Sequence, residues 1–126
     1  MSRWRCFMLI GVLGAIGLPG RARAEASGSI TASPNPCVIP RRASMCTSRI
    51  NWSTEGATHA RVFVLGPHTT GPRETEFGNS LTCQSEKCRA PWIKAKNSYV
   101  FTLYDYSSGR RGRALASVTV TATDGR

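Results

Sequence analysis

"SYVFTLYDY", Ser98 to Tyr106, decides the fold. On an extended chain Tyr99, Phe101 and Leu103 share one face and Val100, Thr102 and Tyr104 the other, because successive strand side chains alternate. "ARVFVL" (Ala60 to Leu65) repeats the pattern, with Ala60, Val62 and Val64 inward and Arg61, Phe63 and Leu65 outward. "ALASVTVTA" (Ala114 to Ala122) turns Ala116, Val118 and Val120 inward, and "TSRINWS" (Thr47 to Ser53) sets Ile50 and Trp52 against Arg49 and Asn51. "SITA" (Ser29 to Ala32) reads as a short strand and "FGNSLTC" (Phe77 to Cys83) as a weak strand or hairpin. The intervening stretches break ladders. Pro34 and Pro36 lack backbone donors, Gly56 turns "TEGAT", and "GPHTTGPRETE" and "SSGRRGR" are loop-rich in Gly, Pro, Thr and Ser. No segment keeps a helical apolar period. Short alternating strands between turns predict an all-β, antiparallel β-sandwich of about seven strands. Its expected core is Ile30, Ile50, Trp52, Val62, Val64, Leu81, Trp92, Tyr99, Phe101, Leu103, Val118 and Val120.

The amino terminus has a different grammar. Arg3 and Arg5 precede an almost wholly apolar run from Cys6 to Leu18, Pro19 and Gly20 break it, and Ala22-Arg23-Ala24 sets small residues where a signal peptidase cuts. The run is too short and wrongly flanked to span a bilayer. Residues 1–24 are therefore read as a signal peptide cleaved near Ala24, and residues 25–126 as one secreted or periplasmic domain that does not span the membrane. Cys6 lies at the start of the apolar run, which argues against a lipid anchor. The formal charge of +10, from 17 basic and 7 acidic residues, shrinks on processing because Arg3, Arg5, Arg21 and Arg23 leave with the leader.

Of the five cysteines, processing leaves Cys37, Cys46, Cys83 and Cys88. In an oxidising compartment an even set at short spacing reads as disulfides. Zinc sites usually hold their cysteine pairs two to four residues apart, whereas eight residues separate Cys37 from Cys46, and neither His59 nor His68 completes a ligand set. No metal and no cofactor are expected. Of the three connectivities that four cysteines allow, Cys37–Cys46 and Cys83–Cys88 are favoured, each closing its own loop at roughly 2–3 kcal/mol.

"ITASPNPC", "CTSRINWSTEGATHARVFV", "PWIKAKNSYVFTLYD" and "LASVTVTA" together resemble the small immunoglobulin-like or fibronectin-III-like modules of exported bacterial proteins. The resemblance covers nearly all of residues 25–126. It implies a tryptophan core residue at Trp52 and an inward Tyr99 whose hydroxyl is satisfied by nearby backbone, a tyrosine corner. It also implies that "ARVFVL" and "SYVFTLYDY" are neighbours in one sheet. The "GRRGR" loop should then lie near the "STEGATH" turn, with Arg41 and Arg42 at the opposite pole. It brings no catalytic residues, since such modules serve as spacers, in adhesins and beside carbohydrate-active enzymes.

Catalysis finds little footing in the residues. His59 and His68 fall in or beside turns without a nucleophile elbow, and Glu74 and Glu76 do not by themselves make a glycosidase pair. No phosphate-binding glycine loop or HExxH accompanies them, so no enzyme and no catalytic residue is expected. Outward residues of the neighbouring strands put Arg61, Phe63 and Tyr104 on one face, with Tyr106 at its rim. These residue types are enriched at interfaces. The expectation is a non-catalytic binding module for a protein or glycan partner, in adhesion, envelope or host-surface recognition. The plainer alternative is cross-strand packing or cover by a loop. Another is electrostatic binding of anionic glycans or lipopolysaccharide through Arg110, Arg111 and Arg113, or service as an accessory carbohydrate-binding module. Nucleic acid is not an expected partner of an exported domain. "NWS" at Asn51 matches a glycosylation acceptor but falls inside a strand, and Met45 reads as packing or loop.

Overall fold

The computed structural model describes residues 25–67 and 73–125, so the signal-peptide assignment and His68 lie outside the described residues. These residues form nine strands: β1 (Ser27–Ser33), β2 (Cys37–Ile39), β3 (Cys46–Glu55), β4 (Ala60–Leu65), β5 (Thr75–Gly78), β6 (Arg89–Ile93), β7 (Tyr99–Asp105), β8 (Ala114–Val120) and β9 (Ala122–Asp124). One short 3-10 turn, Glu86–Cys88, precedes β6.

Two antiparallel sheets face each other. One has the order β1-β3-β6, the other β5-β4-β7-β8, and β2 and β9 pair as a separate two-stranded parallel ribbon. The alternation that predicted the strands also sorts their faces. Ala60, Val62 and Val64 of β4 and Tyr99, Phe101 and Leu103 of β7 are buried, and the register pairs Val62 with Leu103 and Val64 with Phe101. From the facing sheet come Ile30 of β1, opposite Trp52 of β3, together with Ile50, Ala90 and Ile93. Phe101 sits at the centre, with Phe77 edge-on at 5.0 Å and Trp92 stacked at 6.0 Å.

The expected pairing of the cysteines is present: Cys37 bonds to Cys46 and Cys83 to Cys88. Cys37, Cys46 and Cys88 are buried, so sulfur is part of the core as well as a staple. The Tyr99 hydroxyl also finds backbone partners, accepting from the Lys94 N–H at 3.1 Å and donating to the Trp92 carbonyl at 3.4 Å.

The structure departs from the sequence-based expectation in two places. Leu81, assigned to the core, is exposed. The chain from Ser80 to Cys83 runs beside β3 as a backbone partner: Trp52 N–H donates to Cys83 O at 3.0 Å, Cys83 N–H to Trp52 O at 2.9 Å, and Thr54 Oγ1 to the Leu81 carbonyl at 2.9 Å. With its carbonyl turned to β3, Leu81 points its side chain to solvent. The strand count also exceeds the expected seven or so. β2 and β9 are three residues each, too short to show a period, and β6 contains Pro91, which is tolerated because β6 is an edge strand. The two X–Pro bonds of "SPNP" are cis.

The sandwich is closed on one flank. A Cβ on Gly28 of β1 would lie 2.8 Å from Leu103 Cδ2 and 3.4 Å from the Leu115 Cβ, so only glycine lets β1 approach the β8 side this closely. The other flank, between edge strands β5 and β6, is not closed by any described residue and holds a cavity of about 640 Å³.

Candidate binding face

The outer face of the four-stranded sheet carries one continuous side-chain cluster. Arg61 and Phe63 project from β4, Tyr104 from β7, and Tyr106 follows β7 directly. Phe63 meets Tyr104 edge-on at 5.8 Å and stacks with Tyr106 at 6.0 Å and an interplanar angle of 21°. The Arg61 guanidinium lies 4.6 Å from the Tyr106 ring centre and pairs with Glu76 of β5 at 3.2 Å. The four residues assigned from sequence to a binding face are thus linked in series, Tyr104 to Phe63 to Tyr106 to Arg61.

Arg111 joins them from the β7–β8 loop. Its guanidinium lies 4.5 Å from the centre of Phe63 and 4.3 Å from that of Tyr104, while Nη1 holds Glu74 Oε1 at 2.9 Å. The Tyr104 hydroxyl donates to both Glu74 oxygens, at 2.9 and 3.2 Å. Glu74 has only 15% of its side chain exposed, so it acts as a half-sunken anchor for a phenol and a cation at once. Burial, then the hydrogen bond to Glu74 and the Glu74 charge, hold the Tyr104 phenol above its ordinary pKa, with Arg111 working the other way. The phenol therefore remains a donor across the neutral range. Each exposed cation–π contact contributes about 0.5–1 kcal/mol, and together they fix the geometry of the face.

The loop that delivers Arg111 is built around Asp105. Its Oδ1 accepts from Ser107 Oγ at 2.6 Å and Ser107 N–H at 2.9 Å, and its carbonyl accepts from Gly112 N–H at 2.8 Å. Tyr106 N–H donates to the His59 carbonyl at 2.8 Å and Ser107 Oγ accepts from Thr58 N–H at 2.9 Å, so the loop rests on the turn between β3 and β4. The Ser107 hydroxyl and then the Ser107 N–H pull the Asp105 carboxyl below its usual pKa. Because the folded value is the lower one, this contribution is present above the unfolded pKa and is lost as pH falls through the folded value. Acid titration of stability below about pH 4 is expected to show a limb that Asp105→Asn removes. An unchanged limb in the variant would mean other carboxylates dominate.

The three arginines of the loop diverge. Arg111 lies back on the aromatic rings, Arg113 donates to the Ala26 carbonyl and pairs with Glu25 at 3.4 Å, and Arg110 is exposed. Arg41 and Arg42 sit on the β2–β3 loop, at the opposite pole from the "STEGATH" turn. Glu74 and Glu76 take different partners, Arg111 with Tyr104 in one case and Arg61 in the other. His59 contributes its carbonyl to the loop and borders a second cavity with Arg61, Asn79 and Tyr106. All four described cysteines are bridged, and among the described residues no group of three or more His, Cys, Asp or Glu is gathered as for a metal. Sequence reasoning did not find the anchoring role of Glu74 or the stacking of Arg111. The two are 37 positions apart, and nothing local marks either one.

No protein-family model matches the chain, no curated protein is significantly similar to it, and no solved structure matches it.

Proposed function

We propose that this chain is an exported, non-catalytic immunoglobulin-like module that binds a protein or glycan partner through the Arg61–Phe63–Tyr104–Tyr106 face. The leader-like residues 1–24 and the two disulfides support a secreted or periplasmic location, since such bridges persist in oxidising compartments. The observation that carries the binding role is Arg111, laid across Phe63 and Tyr104 and anchored by Glu74. Rings and guanidinium groups held in place before a partner arrives lose little conformational freedom on contact, which favours affinity. Aromatics and arginine are also the residue types on which binding energy concentrates. Recognition of an anionic polymer through Arg110, Arg111 and Arg113 is less favoured, because Glu74 and Glu25 already neutralise two of the three.

Photo-crosslinking in intact cells tests the face. A crosslinker placed at Arg61 or Tyr106 is expected to give a discrete adduct, while one at Thr31, exposed on the opposite sheet, gives none. Tyr106→Ala in the Arg61 crosslinking background should reduce the adduct at least several-fold. Equal capture from Thr31 and Arg61 would count against this face as the contact.

A further inference from the structure

The open flank offers a second, chemically different site. Its floor is Val64, Phe77, Trp92 and Tyr99, at the boundary between β5 of one sheet and β6 of the other. Met45, 39% exposed, and Lys94 stand at its mouth. Its volume of about 640 Å³ falls in the range of roughly 300–1,000 Å³ that small-molecule pockets occupy.

The charged side chains at the cleft bear on what it could hold. Salt bridges hold Arg49, Arg61, Arg89, Arg111 and Arg113. Among the described residues no salt bridge holds Lys94 at the mouth, as none holds Lys87, Lys96 or Arg110 elsewhere. Glu76 also borders the cleft, but its carboxylate is engaged by Arg61 on the outer face. An apolar, aromatic slot thus ends beside Lys94, a cation with no carboxylate of its own.

Strand addition by a peptide is poorly served here. β5 is four residues long and its pairing with β4 is irregular between Val62 and Phe63, while β6 carries Pro91, which has no donor to offer. The occupant that matches both the apolar slot and the unneutralised rim is an amphiphile with an anionic head. We propose that the open flank binds a single-chain anionic amphiphile, with its tail in the cleft between β5 and β6 and its headgroup at Lys94. This site is separate from the aromatic–arginine face and does not depend on it.

The test is titration of the purified protein with dodecanoate below its micelle concentration, followed by calorimetry and by tryptophan fluorescence, to which Trp92 contributes. Saturable binding at one site per chain, with a change in emission, is expected. Dodecyl maltoside, with the same tail and a neutral head, should bind about tenfold more weakly, and acetate not measurably. Lys94→Glu, an exposed substitution that leaves the core intact, should weaken dodecanoate about tenfold. Met45→Glu should weaken it further. No saturable binding, equal affinity for dodecyl maltoside, or an unchanged affinity in both variants would each overturn the proposal. So would a concentration-dependent dimer that excludes dodecanoate, since a second copy would then be the occupant.

Discussion

Replacing Cys37 and Cys46 together by alanine is expected to cost about 3–4 kcal/mol, roughly 2.7 from the freed loop and the rest from the gap left in the core. Cys37 and Cys46 are 1% and 6% exposed, so both truncations fall inside packed structure. The bridge also ties β2 to the first residue of β3, and β2 in turn holds β9 through the parallel ribbon and the Cys37 N–H to Thr121 O bond at 3.0 Å. A domain of this size has about 5–15 kcal/mol in all, so the loss is a large fraction. Removing Cys83 and Cys88 frees a shorter loop and should cost less, about 2 kcal/mol, because Cys83 is only half-buried and, although buried Cys88 gives up the Ser85 N–H it accepts, Ser85 Oγ still accepts from the Lys87 N–H. Urea midpoints for the two double variants decide the matter. If the Cys83–Cys88 variant proves the less stable, the ribbon is not what the first bridge secures.

Gly78→Ala is expected to destabilise by about 1–3 kcal/mol despite adding a single carbon on a half-exposed edge strand. A Cβ there would lie 2.6 Å from Trp52 Cη2 and 2.8 Å from Cζ2. Trp52 cannot swing aside freely, since it is 3% exposed and its Nε1 donates to the Ser80 carbonyl at 2.9 Å. The ring also meets Phe77 edge-on at 6.1 Å. Either β5 moves outward or the indole leaves its hydrogen bond. The same substitution in a Trp52→Phe background should cost markedly less, because the smaller ring vacates the contested space. A double-mutant cycle measures that coupling directly. Strict additivity would show that the penalty comes from strand propensity at β5 rather than from contact with the ring.

Much of the framework is legible along the chain. Period-two alternation in "ARVFVL" and "SYVFTLYDY" assigns Ala60, Val62, Val64, Tyr99, Phe101 and Leu103 to the buried face, because one-sided burial is imposed strand by strand; it is weaker in "ALASVTVTA", where only Val120 is fully buried, and it misses Thr102, which is buried on the outer face. Cysteine spacing leads to the observed bridges because short loops favour local closure. Leu81 shows the limit: hydrophobicity argues for burial, but its backbone is committed to β3 and its side chain goes the other way.

The sequence alone pointed to an all-β sandwich, most of its inward residues though not Leu81, the favoured disulfide pairs and the outward placement of Arg61, Phe63 and Tyr104. Only the tertiary structure decided that Arg111 covers those rings, that Glu74 anchors it, and that a cleft lies between β5 and β6 among the described residues. Each of the latter depends on residues brought together from distant strands and loops by sheet order, which local periodicity does not encode.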